Sequence, residues 1–270
     1  MEKNSHWGRA ARQWHYVGQP LKPTPDDIQA LENLAKRVRA PQPRALLLGV
    51  TREIAAMKWP EGTHLLAVDR SFDMIEFAWA GANVADAKVV CGDWCDLPLA
   101  DNSRDLIVGD GCMLVFDYPA SFERALQSFH RVLVPGGLLS HRFFLSPEKK
   151  ESPDTVFDDL RAGRIGSFHL FKWRLAMALQ PSVEEGVRLG DVWSNWHDAI
   201  PDAKRLSEKL NWPLETVTGI VFYLDSDTRF IYPTLAEVQS AVLPYFKELE
   251  RHVPEYEGGE RFQTILFEAL

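Results

Sequence analysis

Four positions that could bind a small ligand each end a short apolar run of the sequence. They are Gly49, Asp69, Asp93 and Asp110. If the runs are parallel strands, their carboxyl ends share one edge of a sheet, which is where ligands bind in open α/β proteins. A glycine before a helix suits an anionic group, and an acid about twenty residues further on suits ribose hydroxyls. Gly49 and Asp69 therefore predict a ligand of the adenosine type.

The next two strand ends extend this hypothesis. Asp93 could accept a hydrogen bond from the exocyclic amine of an adenine while Trp94 lies against the ring or donates nearby. Asp110 and Gly111 would lie beside the middle of the ligand. A single aspartate at a strand end is more often a cap or turn residue, so the hypothesis depends on three of them in succession.

The elements that position these residues are predicted to form a doubly wound α/β sheet. Strands are predicted at 45–50, 64–69, 88–93, 105–110 and 138–145, with helices at 51–58, 71–80 and 120–132. Short runs that are apolar throughout and alternate with helical stretches are typical of parallel strands joined by right-handed crossovers.

Composition shifts divide the chain into four predicted parts. Residues 1–43 form an aromatic arm, helical over 8–16, and a helix over 25–39 that begins at the cap residue Thr24. Residues 44–147 form the first part of the core, and 148–232 form an inserted helical lid. The core resumes over 233–270, with a helix at 234–246 and strands at 247–253 and 262–268.

Composition also narrows the class of partner. The net charge of −8 disfavours nucleic acid. No apolar run is long enough to span a membrane and the first residues lack the apolar centre of a signal peptide, so we expect a cytoplasmic protein with no membrane partner. Cys91, Cys95 and Cys112 lack the spacing of a metal site, and no metal is expected.

Residues 44–145 resemble the class I S-adenosylmethionine-dependent methyltransferases. The matching stretches are LLLGVTREI at 46–54, LLAVDRSFDMI at 65–75, VVCGDWCDLPLADNSRDLIVGDGCMLVF at 89–116 and RVLVPGGLL at 131–139. The resemblance implies a Rossmann-like, mostly parallel sheet with an antiparallel last strand, and S-adenosylmethionine as the cofactor.

The resemblance also implies a set of cofactor contacts. Gly49 would lie against the methionine part, Asp69 would hold the ribose, and Asp110 with Gly111 would face the methionine amino group. Arg70 and Met74 would border the adenine, and Asp93 and Trp94 would contact its edge. Arg70 could equally be a solvated charge and Met74 a core residue. Tyr16 and Trp14, in the aromatic arm, are predicted to close over the cofactor from the other side.

The first loop departs from the family pattern of Gly-x-Gly-x-Gly. This chain has Gly49-Val50-Thr51-Arg52-Glu53, and neither Val50 nor Thr51 adopts a positive φ cheaply. We therefore expect the loop to turn differently, with Thr51 capping the next helix and offering its hydroxyl to the cofactor carboxylate.

The methyl acceptor is less clearly indicated by the sequence. Methyl transfer from a sulfonium depends mainly on alignment, but a base would help an acceptor that carries a proton, and His169 and His141 are the candidates. Arg142 could clamp a substrate carboxylate or form a structural pair with an acid of the lid, and Trp173 and Trp196 could roof the cleft. A small apolar or aromatic acceptor is expected, with oxygen slightly favoured over nitrogen.

Two other functions compete with this hypothesis. A nicotinamide-dependent oxidoreductase needs Gly-x-Gly-x-x-Gly, and residues 49–54 lack its second and third glycines. A non-catalytic cofactor-binding partner or regulatory protein would also account for the altered first loop. The sequence does not determine the oligomeric state.

Overall fold

A computed structural model describes residues 18–270 of the chain, so the predicted helix at 8–16, Trp14 and Tyr16 lie outside the described residues. The strands of the main sheet are β1 (Arg44–Leu48), β2 (His64–Asp69), β3 (Asp86–Cys91), β4 (Arg104–Asp110), β5 (Leu133–Arg142), β8 (Phe246–His252) and β9 (Thr264–Ala269). A separate pair is formed by β6 (Val187–Arg188) and β7 (Arg229–Phe230).

Helices follow most of these strands. They are α1 (Pro25–Ala35), α2 (Arg52–Ala55), α3 (Phe72–Ala78), α4 (Ala120–Val132), α5 (Pro153–Arg161), α6 (Phe168–Leu179), α7 (Leu189–Ala199), α8 (Ala203–Leu210), α9 (Leu214–Thr218) and α10 (Leu235–Val242). Short 3₁₀ turns lie at Cys112–Val115, Gly219–Tyr223 and Gly259–Arg261.

The main sheet has the strand order β3-β2-β1-β4-β5-β9-β8. The pairs β1–β2, β2–β3, β1–β4 and β4–β5 are parallel, and β9 is antiparallel to both of its neighbours. The predicted doubly wound, mostly parallel sheet with an antiparallel last strand is therefore confirmed. The strand order reverses between β1 and β4, which makes their carboxyl ends the expected ligand site.

The central strands are apolar throughout because both faces of the sheet are covered. In β1, Leu46 and Leu48 pack into the core that contains Phe122 and Phe129 of α4. Leu47, on the opposite face, packs into the core on the α1 side of the sheet. The alternation along β1 thus buries successive leucines in two different cores and fixes the strand between them.

The first helix begins as predicted and ends early. Thr24 and Asp27 form a reciprocal capping box at the start of α1. The helix stops at Ala35 rather than at about 39, because residues 36–43 turn the chain into β1. β5 likewise starts at Leu133, earlier than predicted. Its pairing with β4 shifts register between Arg104 and Leu106, and this irregularity lets the strand include the Pro-Gly-Gly sequence that was predicted as a turn.

Residues 148–232, here called the helical segment, form the α5 to α9 layer over the carboxyl end of the sheet. Its helices are held together by a core that includes Phe168, Phe171 and Trp196 and that extends to Phe144 and Phe262 of the sheet side. The β6–β7 pair within it was not predicted, because two-residue strands give no periodic signal. The division of the chain at 147 and 232 stays a prediction. Within residues 18–270, no helix combines the length and apolarity that crossing a bilayer requires.

Candidate functional site

A large cavity lies where the sheet topology predicts a ligand site. It contains about 1260 Å³ of empty space, counting the part that is open to solvent. One side, here called the strand-end wall, consists of Gly49, Thr51, Asp69, Met74, Trp94, Asp110 and Gly111. The other side, here called the helical wall, consists of His169, Lys172, Trp173, Phe222, Tyr223 and Phe230.

Glycine is required at two turns of the strand-end wall. Gly49 has φ +88°, and a Cβ there would point toward Asp69 Oδ2 and the Trp94 ring, 3.7 and 3.8 Å away. Gly111 has φ +61°, and its Cβ would approach the Phe144 ring to 2.9 Å. A side chain at either position would strain the backbone and fill space at the strand ends. The turns therefore keep the cavity open where a ligand can approach the backbone.

The first loop turns as the glycine-poor sequence requires. Gly49 alone takes the positive φ, while Val50 is buried against Met74. Thr51 stands at the N-cap position of α2 but its side chain makes no cap hydrogen bond, so the predicted cap is wrong. Its side chain lines the cavity instead, and its contact with a cofactor carboxylate stays a prediction.

Asp69 presents a carboxylate with one free oxygen to the cavity. Its Oδ1 accepts a hydrogen bond from the Ser71 amide at 2.8 Å, whereas no hydrogen bond from residues 18–270 reaches Oδ2. Burial raises the pKa of Asp69 to about 6, against the weaker opposing effects of the Ser71 bond and the Arg70 charge. A ligand that donates hydrogen bonds would repay this cost of burying the carboxylate.

Trp94 forms a fixed apolar surface of the strand-end wall. Its indole Nε1 donates to the Val68 carbonyl at 2.6 Å, and its ring stands edge-on to Phe116. The N–H group is therefore not free to contact an adenine edge, which corrects that part of the prediction. Met74, which is buried and lines the cavity nearby, offers a second apolar surface.

Two residues predicted to contact the adenine lie off the cavity wall. Asp93 is exposed and its Oδ1 accepts a hydrogen bond from the Cys95 amide at 2.9 Å. Arg70 is exposed as well. Since neither lines the cavity, their contacts with adenine stay predictions that the structure does not support directly.

Arg142 is part of a buried network and is not available to a substrate. Its Nε lies 2.6 Å from Asp110 Oδ1, and its Nη1 lies 3.2 Å from Asp27 Oδ2. It also donates to the carbonyls of Pro20 and Leu21, and its side chain has no solvent exposure. The predicted clamp on a substrate carboxylate is therefore wrong. Arg142 does form a structural pair, but its partners are Asp110 and Asp27 and not an acid of the predicted lid.

His141 is also buried away from the cavity. Its Nε2 lies 3.0 Å from Cys112 Sγ, and burial lowers its pKa to about 3. An imidazole in this position packs the core and does not reach a substrate, so the prediction of a base at His141 is wrong. Trp196 is likewise a core residue, 5.1 Å from the Phe168 ring and outside the cavity wall.

His169 lines the cavity, but its basic nitrogen is already engaged. The Gly18 amide donates to His169 Nε2 at 3.0 Å, and burial lowers the pKa of the ring to about 3. A neutral ring whose lone pair accepts a backbone hydrogen bond has little capacity to take a proton. The structure thus places His169 where the sequence predicted and argues against its role as a base.

The aromatic part of the helical wall is rigidly packed. The Trp173 ring is nearly parallel to Phe230, at 6.3 Å and 15°, and meets Phe144 and Tyr232 edge-on. Trp173 lines the cavity, so its contact with a substrate stays a prediction. Tyr223, Phe230 and Lys172 were missed by the sequence analysis. The signal for Lys172 was a lysine within the mostly apolar stretch 168–179 of the predicted helical lid.

Comparison with known proteins identifies the domain. A family model described as a methyltransferase domain matches residues 48–140, which hold the strand-end wall. The chain carries a class I S-adenosylmethionine-dependent methyltransferase domain. S-adenosylmethionine is the cofactor of this methyltransferase domain, and the free Asp69 oxygen, the open Gly49 turn and the apolar surfaces of Met74 and Trp94 fit such a nucleoside.

One curated relative shares part of the methyltransferase domain. Malonyl-[acyl-carrier protein] O-methyltransferase 1 of Coxiella burnetii is 40% identical over 65 residues, which cover 24% of this chain and 22% of the relative. The chain therefore matches little more than a fifth of that protein's length.

Solved structures share the fold of the methyltransferase domain across most of the chain. The CcbJ methyltransferase of Streptomyces caelestis has a TM-score of 0.57 at 12% identity, with 100% of this chain and 99% of that chain covered. A methyltransferase of Methanosarcina mazei has a TM-score of 0.52 at 15% identity, with 92% of this chain and 99% of that chain covered. The N-methyltransferase NodS of Bradyrhizobium japonicum, solved with S-adenosyl-L-homocysteine, has a TM-score of 0.52 at 11% identity, with 95% of each chain covered.

Proposed function

We propose that this protein transfers the methyl group of S-adenosylmethionine to a small apolar or aromatic molecule, with oxygen favoured over nitrogen as the acceptor atom. The observation that carries the proposal is one continuous cavity that joins the strand-end wall to an aromatic wall. The first wall fits the cofactor and the second offers Trp173, Tyr223 and Phe230 to an acceptor. Apolar cavities with few polar groups are typical of small-molecule sites.

The chemistry asks little of the protein beyond alignment. When bound, the cofactor supplies an electrophilic methyl group on a sulfonium. The residues of this chain exclude water and hold the acceptor in line, which can account for a large part of a rate enhancement. Neither predicted histidine is free to take a proton, since His141 is buried against Cys112 and His169 accepts from Gly18. An acceptor that needs no base fits this arrangement.

Two further observations support the choice of acceptor. The net charge of −8 and the enclosed aromatic wall favour a small molecule over nucleic acid. The curated relative's name describes an O-methyltransferase, which supports oxygen as the acceptor atom.

Calorimetric titration with S-adenosylhomocysteine tests the cofactor half of the proposal. We expect binding to the wild-type protein and an affinity about tenfold to a hundredfold lower for Asp69→Ala, because hydrogen bonds to a carboxylate contribute about 1.5–3 kcal/mol each. Asp93→Ala is the matched control, since that carboxylate follows the neighbouring strand but lies off the cavity wall, and we expect a smaller loss. No heat at millimolar ligand would defeat the proposal.

Transfer of label from methyl-labelled S-adenosylmethionine tests the catalytic half. A panel of small aromatic and apolar hydroxyl compounds and acids, with matched amines, should show methylation of at least one oxygen acceptor. Binding of the cofactor without transfer to any member of the panel would favour a non-catalytic cofactor-binding protein instead.

A further inference from the structure

The helical wall carries its polar groups on one face of α6. His169 and Lys172 are three residues apart, so they lie on the same side of the helix, and both line the cavity. Around them the wall is aromatic, with Trp173, Tyr223 and Phe230. Whether each of these two side chains can bind a ligand depends on what its nitrogen atoms already contact.

The first of these groups is a hydrogen-bond donor without an acceptor. Because the Gly18 amide donates to His169 Nε2, that nitrogen carries no hydrogen, and the neutral ring must carry its proton on Nδ1. His169 Nδ1 is buried and has no hydrogen-bond partner among residues 18–270. Because that atom has less than 1 Å² of accessible surface, it does not face the cavity, and His169 offers a ligand neither a base nor this donor.

The second group is a cation without a counter-charge. Lys172 Nζ lies 5.2 Å from the centre of the Tyr223 ring and 5.9 Å from that of Phe168. No carboxylate of the described chain lies within 4.0 Å of it, although the exposed Glu215 lines the same cavity. Burial lowers the pKa of Lys172 to about 8, so the ammonium still predominates at neutral pH. The aromatic faces stabilise this cation in part, and an anion would do so far more.

Two of the three carboxylates that line the cavity are committed elsewhere. Asp110 is paired with Arg142, and Asp69 lies on the strand-end wall where the cofactor is expected. The third, Glu215, is exposed and makes no ion pair with Lys172 at 4.0 Å or less, so the cation remains available to a ligand with a negative group.

On the basis of the proposed methyltransferase function, we propose that the acceptor carries a carboxylate on an apolar or aromatic body, and that the Lys172 ammonium binds this carboxylate. Lys172 is then the residue that selects acids over their neutral analogues. An acceptor that ionises in solution also suits a site whose histidines are not free to act as bases.

The test compares an acid with its neutral isostere on protein saturated with S-adenosylhomocysteine. The probes are naphthalene-2-carboxylate and naphthalene-2-carboxamide, and binding is measured by calorimetry. We expect the wild-type protein to bind the carboxylate at least about tenfold more tightly than the amide. Lys172→Met keeps the apolar stem of the side chain and should bind the two probes within about twofold of each other.

Control variants separate this role from a general effect of charge. Lys204→Met removes an exposed lysine of the same helical segment, whose Nζ is 3.9 Å from Glu208, and should keep the full preference for the acid. Lys172→Gln is a second variant for the case in which Met does not fold. Circular dichroism and the affinity for S-adenosylhomocysteine check that each variant retains its structure.

The outcomes are distinct. Equal binding of the two probes by the wild-type protein, or a preference that survives in Lys172→Met and Lys172→Gln, would overturn the proposal while leaving cofactor binding intact. A variant that slows methyl transfer without changing the preference would place Lys172 in the chemical step and would also overturn it. If S-adenosylhomocysteine gives no heat, the proposed function fails, and the same two probes are compared on the ligand-free protein.

Discussion

The two walls of the cavity bury charges of opposite sign, and the groups that surround those charges differ. On the strand-end wall, Asp110 is neutralised by Arg142 within the protein, and Asp69 keeps a hydrogen bond from a backbone amide. On the helical wall, Lys172 lies beside the Tyr223 and Phe168 rings and makes no ion pair with the residues that the structure describes. Burial raises the pKa of Asp69 to about 6 and lowers that of Lys172 to about 8. Both shifts favour the neutral form, so each wall gains stability from a ligand of complementary charge.

The difference shows which wall depends on the backbone and which on side chains. The strand-end wall is built from the ends of β1, β2 and β4, whose positions follow from the sheet order. The helical wall comes from packing between α6, the 3₁₀ turn at Gly219–Tyr223 and β7. The following substitutions test that contrast.

Arg142→Met should have the largest effect, on the strand-end side. It leaves Asp27 and Asp110 buried without their shared cation, and loss of one member of such a network costs about 3–5 kcal/mol. We expect the free energy of unfolding, measured in urea, to fall by that amount. The control is Arg37→Met, which breaks an exposed pair with Glu250 and should cost less than about 1 kcal/mol. Equal losses would contradict the structural role of Arg142.

Lowering the pH should weaken cofactor binding through Asp69. Its carboxyl must be ionised to accept hydrogen bonds from a ribose, so affinity for S-adenosylhomocysteine should fall by up to about tenfold per unit below pH 6. The raised pKa also means that, without ligand, Asp69 favours folding below pH 4 and that this contribution is lost as the pH rises to about 6.

Asp69→Asn isolates this dependence from other titrating groups. The variant should bind more weakly at pH 7.5 and should lack the fall between pH 7 and pH 5 that calorimetry detects in the wild-type protein. An unchanged pH profile in the variant would show that another group controls binding.

Two threonines at helix starts should differ in their contribution to stability. Thr24 closes the capping box of α1, whereas Thr51 makes no cap hydrogen bond. Thr24→Ala should lower the free energy of unfolding by about 1 kcal/mol, and Thr51→Ala by less than about 0.5 kcal/mol. If Thr51→Ala also lowers the affinity for S-adenosylhomocysteine, the threonine contributes to the cofactor site and not to the stability of the helix.

Trp173→Phe should have the smallest effect on the cofactor. Trp173 belongs to the helical wall, so affinity for S-adenosylhomocysteine should change by less than about twofold, equivalent to about 0.4 kcal/mol. Calorimetry on the folded variant measures this directly. A tenfold loss would mean that the cofactor reaches the helical wall and that the two walls do not divide the ligands as proposed.

The sequence predicted the strand-end wall because local pattern determines it. The strand at His64–Asp69 and the helix at Ala120–Val132 match their predicted bounds, and the turn at Gly49 follows from the lack of other glycines in that loop. Apolar runs, caps and glycine turns act over a few residues, so a single sequence reveals them.

The remaining residues could not be placed because their partners are distant in the chain. Arg142 is paired with Asp27, 115 positions away, and His169 accepts from Gly18, 151 positions away. No local rule predicts that an arginine in a strand or a histidine in a helix will meet those partners. The same limit applies to Lys172, whose surroundings depend on how Tyr223 packs against α6.

The chain just before α1 connects both walls through its main chain. Gly18 donates its amide to His169 on one side, and two and three residues later the carbonyls of Pro20 and Leu21 accept from Arg142 on the other. Movement of either wall would displace the same few peptide groups. Each ligand is expected to order or displace this same short segment. The heats of binding of cofactor and acceptor should therefore not be additive.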